Sequence, residues 1–514
     1  MPMERRPGRR WCRASTRSRG PTRSRTIAGI IKRSAIISIT RILNQGLMII
    51  SPVILVRLLS VEDFGRYREF ILYSSLLAGI AGFGINTSLL RFIPSDPPMR
   101  WRFVNQALLM TLTMSGLLVG GMLALDAVLP GELVGPYAVP IALYVLLFVN
   151  FDFWEHFWLA DRRTMAVFGY TSGRLIARIL VVVTTAALTR NVTMIVWALV
   201  ALELVRLVAS VLAWHSLQAR DWHRHAPAER GLWRAQLRYC APFGASLILV
   251  NSNKALASLF VAKLMGPVAL AHYAIGTYVQ PIIVALRNSL SDVLLSEMSA
   301  RERSGAADPL RLWRRSGVVM LAILLACAVV LAKYAHIIIT TVFSDEYRSA
   351  VPVFQIYLLV LVRESLDFSV PMRAISRTAP ILHGNMLGIT VNALLLSTLL
   401  PIFGLLGAVS AYVVSRFAEG MYLGWQLRRA YGVGWNRIGN WGDLAKVLVA
   451  ALLASAVLYG SFWTDALGLP GVLAGGAAYA LVFACLLLLL RIPEFIALLD
   501  RLKRIQRRVR AGPA

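Results

Sequence analysis

Apolar residues fall along this chain in long unbroken runs rather than in alternation, and each run is about as long as a bilayer is thick. A helix that crosses the hydrocarbon core needs about 20 mostly apolar residues. Fourteen runs of that kind are read, at roughly 35–57, 68–92, 103–127, 137–160, 168–188, 192–214, 241–263, 273–297, 316–335, 352–375, 379–400, 407–427, 445–464 and 470–490. Only helices or closed barrels satisfy the backbone in lipid, and a barrel would show ten-residue alternating strands. The expected fold is therefore all-α and integral to the membrane, with about 14 transmembrane helices.

Basic residues orient the bundle. With the N-terminus placed inside, and basic residues near span ends counted with the adjoining segment (Arg174 and Arg178 with an inner loop at 161–178, Arg68 with an outer turn at 57–69), the segments on the inner side hold 41 of the 54 Lys and Arg, the opposite turns hold 6, and the remaining 7 fall deeper within spans. This asymmetry follows the positive-inside rule and puts both termini in the cytoplasm. It divides the chain into an Arg-rich tail (1–34), spans one to six (35–214), a cytoplasmic amphipathic linker (215–240), spans seven to twelve (241–430), spans thirteen and fourteen (431–490) and a basic amphipathic tail (491–514). Residues 1–26 have no apolar core and do not read as a signal peptide; disorder against anionic headgroups is expected there. The last segment has apolar residues at helical spacing among arginines, which suits the inner leaflet surface.

Composition then narrows the function. The chain is 57% hydrophobic with a formal net charge of +28. The charge is mostly topological and does not point to nucleic acid. No gap between spans is long enough for a soluble catalytic domain. Cys12, Cys240, Cys327 and Cys485 are scattered, the seven histidines show no metal-ligand spacing, and no nucleotide-binding or hydrolase motif is present. No cofactor is expected, and the reading is a transporter rather than an enzyme.

The chain also repeats itself. Span one ends in Val56-Arg57-Leu58-Leu59-Ser60 and leads through Phe64-Gly65 to Tyr67; span seven ends in Ala262-Lys263-Leu264-Met265-Gly266 and leads through Pro267 to Tyr273. Six spans separate the two, so the halves share one orientation. That implies a parallel repeat about an axis along the membrane normal, with a site between the halves.

The stretch from Arg57 to Tyr67 resembles the "R-x-L-G-x-x-x-F-G-x-Y" turn of the polysaccharide-exporting, oligosaccharide-lipid flippase branch of the multidrug/oligosaccharidyl-lipid/polysaccharide exporter superfamily, with Ser60 in place of the usual Gly. Phe343-Ser344-Asp345-Glu346-Tyr347-Arg348-Ser349-Ala350 is similar to the "F-G-x-x-Y-x-x-A" that follows its ninth span, and Pro401 to Ala408 to its "P-x-x-G-x-x-G-A" between spans eleven and twelve. The motifs occur in order and cover about residues 30–430. The resemblance implies two six-helix lobes in a V plus two C-terminal helices, in a bacterial inner membrane. It implies alternating access that carries a polyprenyl-diphosphate-linked glycan to the outer leaflet for surface polysaccharides such as lipopolysaccharide or exopolysaccharide. Membrane lipids, a polymerase and glycosyltransferases are the partners it implies.

Such cargo needs a cationic lumen, and charge inside a span faces an interior or a partner. Lys254 and Asn251 share a face of span seven with Ser258, and Arg287 lies near the middle of span eight. Arg41, Asn44 and Gln45 form a polar face of span one, and Arg91 closes span two. The resemblance implies that spans one, two, seven and eight line the cavity, and cations there suit phosphate. Acidic candidates for an ion or for sugar hydroxyls are Asp152 and Glu155 on one face of span four with His156, and Glu364 and Asp367 on span ten, where Arg363 stands at i, i+4 to Asp367. Asp152 and Glu155 have no basic residue within one turn and read as the freer pair. Glu203/Arg206 and Arg416/Glu419 are spaced i, i+3, as intramembrane salt bridges. Two alternatives stay open. A cation-coupled multidrug exporter of the same superfamily would use the span-four acids. A flippase of the peptidoglycan lipid precursor would carry arginines in the outer half of span one, where Gln45, Ser51 and Pro52 stand.

Overall fold

The computed structural model describes residues 44–496 except 45, 49, 96, 130, 132–134, 162, 221–231, 280–286, 288–290, 292–293, 296, 299–307, 309, 376 and 461–467. It is 90% helical, with no strand among the described residues. Ten of its helices are long and apolar enough to span a bilayer, or eleven if one pair bent by 49° counts as a single span. The all-α, membrane-spanning class is the expected one; of the fourteen expected spans, ten or eleven stand among the described residues.

Helix α1 (Gly46–Leu58) leads into α2 (Val61–Gly82) through a cap that explains the departure at Ser60. The Ser60 hydroxyl accepts from the Asp63 backbone N–H at 3.1 Å and donates to the Asp63 carboxylate at 2.8 Å. Serine at this position satisfies an end group that glycine would leave to water. Glu62 and Asp63 in the first turn favour the same end electrostatically. The chain continues as α3 (Leu89–Ser95), α4 (Arg100–Val128), α5 (Ala138–Val149), α6 (Trp154–Ala160), α7 (Thr164–Thr189) and α8 (Val192–Arg220). Span four is thus two helices, α5 and α6, broken at Asn150–Phe153, where Phe151 takes a left-handed φ of 57°.

The second half is built likewise. Helix α9 (Leu232–Gly276) includes span seven and the start of span eight, and it is interrupted at Gly266 (φ 82°, ψ −176°). A side chain would be strained there, which is why the turn contains glycine. Helices α10 (Arg311–Lys333) and α11 (Ala335–Val342) follow. Span ten comes in three pieces, α12 (Val351–Tyr357), α13 (Leu359–Glu364) and α14 (Ser369–Ala374). Helix α15 (Ala379–Tyr431) carries spans eleven and twelve, divided at Gly404 (φ 57°, ψ −133°). Helices α16 (Trp441–Gly460) and α17 (Leu469–Leu489) close the chain and pack on α10, where Val318, Leu321 and Tyr334 share a buried cluster with Ala450, Ala454, Tyr479 and Phe483.

Of the expected linker at 215–240, residues up to Arg220 and from Leu232 belong to α8 and α9. Its centre and the tails 1–34 and 497–514 lie outside the described residues. Arg174 and Arg178, counted above with a basic loop, lie well inside α7 instead.

The halves meet along α2 and α9. At the end away from the basic loops, called the outer end here, a Cβ on Gly65 would fall 2.0 Å from the Pro267 carbonyl oxygen. Midway, Gly79 faces the Asn251 side chain. At the inner end a Cβ on Gly244 would lie 2.3 Å from the Phe83 carbonyl oxygen. Other contacts seal the outer end. Arg57 donates to the carbonyl oxygens of Thr341 (2.7 Å) and Val342 (3.4 Å), and Phe64 meets Tyr347 edge-on at 6.0 Å. The residues that carry the first two family motifs are therefore contacts between lobes.

Candidate functional site: two cavities in a charged bundle

One cavity of about 420 Å³ opens in the second half of the chain. Among the described residues its walls carry five cations, Lys254, Arg287, Arg363, Arg373 and Arg416, against three acids, Glu364, Asp367 and Glu419. The breaks in span ten put Arg363, Glu364 and Asp367 here: short helical pieces turn side chains inward that one straight helix would spread around its axis.

Glu364 is the hub. It is held by Arg287, by Arg416 at 2.6 Å and by Arg363 at 3.5 Å. Glu419 is bound by Arg416 and by Arg363 at 3.5 Å. Arg363 also donates to the Arg416 carbonyl at 3.0 Å. Asp367 accepts from Ser291 at 2.8 Å and Ser369 at 2.6 Å. The expected Arg363–Asp367 pairing is thus corrected: the end of α13 lies between them, and Arg363 turns to Glu364 and Glu419. Buried charges of this kind need partners, and the acids here have them. Lys254 does not: among the described residues no acid lies within ion-pair distance of it, and it faces the cavity. Its helix neighbour Asn253 lines the same wall and bonds Asn392 at 3.1 Å.

In the first half, the broken span four is held by arginines of its neighbours. Arg206 on α8 donates to the carbonyls of Leu147, Phe148 and Asn150, the last two at 3.1 Å, and to that of Phe151 at 3.4 Å. These are the carbonyls that the break deprives of helical donors. Glu203 neutralises Arg206 at 2.5 Å, as the i, i+3 spacing implied, and reaches Arg174 at 3.4 Å. Arg174 in turn binds Asp152 at 2.6 Å, and Tyr170 donates to the same carboxylate at 3.1 Å. The reading of Asp152 as a carboxylate free of basic neighbours is corrected, because its cation comes from α7, 22 residues away. Asp152 and Glu155 do not share one helix face either: Asp152 lies in the break and Glu155 stands exposed on α6.

The other expected residues are spread out. Asn251 turns to Gly79 rather than to the cavity. Arg91 sits at the inner end with its guanidinium 4.7 Å from the Tyr239 ring, bridging the halves. Asn44 accepts from Ser172 at 3.1 Å. Arg41 and Gln45 lie outside the described residues.

A second cavity of about 380 Å³ lies mainly in the first half, with Arg68, Tyr67 and Ser74 of α2, Tyr144 of α5 and Arg178 of α7 in its wall and with Thr277 and Tyr278 of the second half completing it. Sequence reasoning missed both arginines, counting one with an outer turn and the other with an inner loop.

A bundle of long apolar helices, several of them broken, with charge concentrated in internal cavities and two halves joined along one seam, is that of a multi-pass membrane protein. Solved structures with the same fold include an inward closed conformation of the lipid II flippase MurJ, with a TM-score of 0.66, 15% identity and coverage of 89% of this chain and 98% of that one. An inward-facing multidrug resistance MATE family transporter of the MOP superfamily matches at 0.56 and 12% identity, over 77% of this chain and 99% of that one. A MOP superfamily transporter from Pyrococcus furiosus matches at 0.50 and 13% identity, over 77% and 95%. No curated protein matches the chain. Residues 30–296 match the family described as polysaccharide biosynthesis protein, and the chain belongs to it. The chain is thus a multi-pass membrane protein of that family, and the solved structures that share its fold are a flippase and transporters.

Proposed function

We propose that the protein carries a polyprenyl-diphosphate-linked oligosaccharide from the inner to the outer leaflet of a bacterial inner membrane by alternating access. The observation that carries this reading is the cavity of the second half, where five cations face three acids and Lys254 stands without an acid among the described residues. A diphosphate is the complementary charge, and lysine binds phosphate as a point charge. Arg287, tied to Glu364, shapes the site and adds a donor beside it. A charge-assisted hydrogen bond contributes about 1.5–3 kcal/mol, so Lys254→Ala should slow transport about ten- to hundredfold. The test is translocation of a labelled polyprenyl-diphosphate glycan in proteoliposomes, with a peptidoglycan-type precursor as competing cargo. Normal transport by Lys254→Ala would remove this cavity from the path. Preference for the peptidoglycan-type cargo would change the assigned substrate.

A further inference from the structure

The cavity of the first half has a composition that the transport reading above leaves unused. Arg68 and Arg178 both line it, and among the described residues no acid lies within ion-pair distance and no hydrogen-bond partner is present for either guanidinium. The nearby acid Glu203 is already held by Arg206 and Arg174. Two like charges thus share one cavity inside the membrane span, an arrangement that is costly until an anion joins them. The rest of the wall is not that of a bare phosphate site. Tyr67, Tyr144, Phe148 and Tyr278 supply ring faces. Tyr144 is stacked on Phe148 at 5.4 Å, so its ring is held in place. Ser74 is buried to 1% exposure, and its hydroxyl has no hydrogen-bond partner among the described residues. A buried hydroxyl of this kind normally finds a partner.

Cation pair, ring faces and an unused hydroxyl form the complement of one chemical group. A sugar acid offers a carboxylate for a guanidinium fork, a C–H face for an aromatic ring and hydroxyls for serine. The volume of about 380 Å³ falls in the range of small-molecule sites, about 300–1,000 Å³. The geometry points to a second binding site, separate from the cavity around Lys254, that takes an acidic monosaccharide unit of the glycan, with its carboxylate between Arg68 and Arg178. This rests on the reading of the protein as a glycan-lipid flippase, and it names the cargo class as an acidic glycan.

The experiment uses full-length protein in detergent and the probes methyl β-D-glucuronide, methyl β-D-glucoside and inorganic phosphate, followed by saturation-transfer NMR. The glucuronide should bind saturably and the glucoside at least about tenfold more weakly. Arg68→Gln and Arg178→Gln should each weaken glucuronide binding about tenfold or more, while Lys254→Gln leaves it unchanged. Ser75→Glu adds a carboxylate to the same wall and should weaken it too. This variant keeps both arginines and guards against loss of binding through misfolding, and thermal melting checks each preparation. Equal binding of glucuronide and glucoside, or loss only in Lys254→Gln, would overturn the proposal. Phosphate competing as strongly as the glucuronide would also overturn it, since the site would then be one for a bare oxyanion. Because no transport is measured, failure here leaves the diphosphate reading standing, and failure of Lys254→Ala to slow transport leaves this site standing.

Discussion

Replacing Gly65 by Ala should open the outer end of the transporter without unfolding it. A Cβ there would lie 2.0 Å from the Pro267 carbonyl oxygen and 2.4 Å from its carbon. Both are backbone atoms and cannot rotate away. Ordinary contact begins near 3.4 Å, so α2 and α9 must separate locally by about 1.4 Å. Forcing an extra carbon into a packed interface costs about 1–3 kcal/mol. That cost falls on the outer-closed arrangement, because the contact joins the two halves, and it should shift the equilibrium toward outer-open by about 5- to 150-fold. The assay is labelling from the outer side by an impermeant maleimide. The reporter is Ser74→Cys, placed in a chain whose four native cysteines are replaced. Gly65→Ala should raise the labelling rate by a factor in that range while the melting temperature changes little. Gly82→Ala is the control: it lies on the same helix, with nothing within 4 Å of its added carbon. An unchanged rate in Gly65→Ala, or an equal rise in Gly82→Ala, would refute the claim that this contact holds the outer end closed.

Arg206→Ala should lower thermal stability by about 3–5 kcal/mol, since it strips the carbonyls at the break of span four and leaves the buried Glu203 with Arg174 alone; Arg206→Lys should recover little, because a point charge cannot serve several carbonyls at once. Arg57→Ala removes donors to the Thr341 and Val342 carbonyls and should raise outer-side labelling about fivefold, from the roughly 1 kcal/mol of an exposed hydrogen bond. Glu364→Gln leaves three arginines without their shared acid and should lower the melting temperature more than any single substitution of an exposed charge. Reporter fusions at Gly305 and Gly468 should report opposite sides of the membrane, inside and outside respectively.

The spans were legible because the bilayer imposes one length on each apolar run, and α4, α7, α8, α10, α16 and α17 follow those runs closely. The i, i+3 pairs Glu203/Arg206 and Arg416/Glu419 were legible because one helix sets their geometry. What stayed hidden was made between helices. Arg174 reaches Asp152 from another span, and Glu364 collects Arg287 and Arg416 from two other spans. No local spacing encodes either contact. The breaks in spans four and ten were hidden too, since Phe151 and Ser365–Phe368 interrupt the helix without glycine or proline to mark the place. Arg68 and Arg178 misled for a related reason. Arg68 opens the run 68–92, where a topological anchor and a cavity lining look the same, and Arg178, at the middle of the run 168–188, was grouped with the basic loop that precedes it although it lines the cavity.

The seam between α2 and α9 bears on how a lipid could enter. Its contacts are of backbone on backbone at both ends, Gly65 against Pro267 and Gly244 against Phe83, with Gly79 and Asn251 between them. A polyprenyl tail is at least a methylene chain wide, and it must stay in the bilayer while its head group travels through the protein. On this flank it would have to force apart helices whose end contacts are backbone on backbone. A tail can pass on this flank only in a state in which the two helices have parted, so its passage is tied to the same outer contact that Gly65→Ala would loosen.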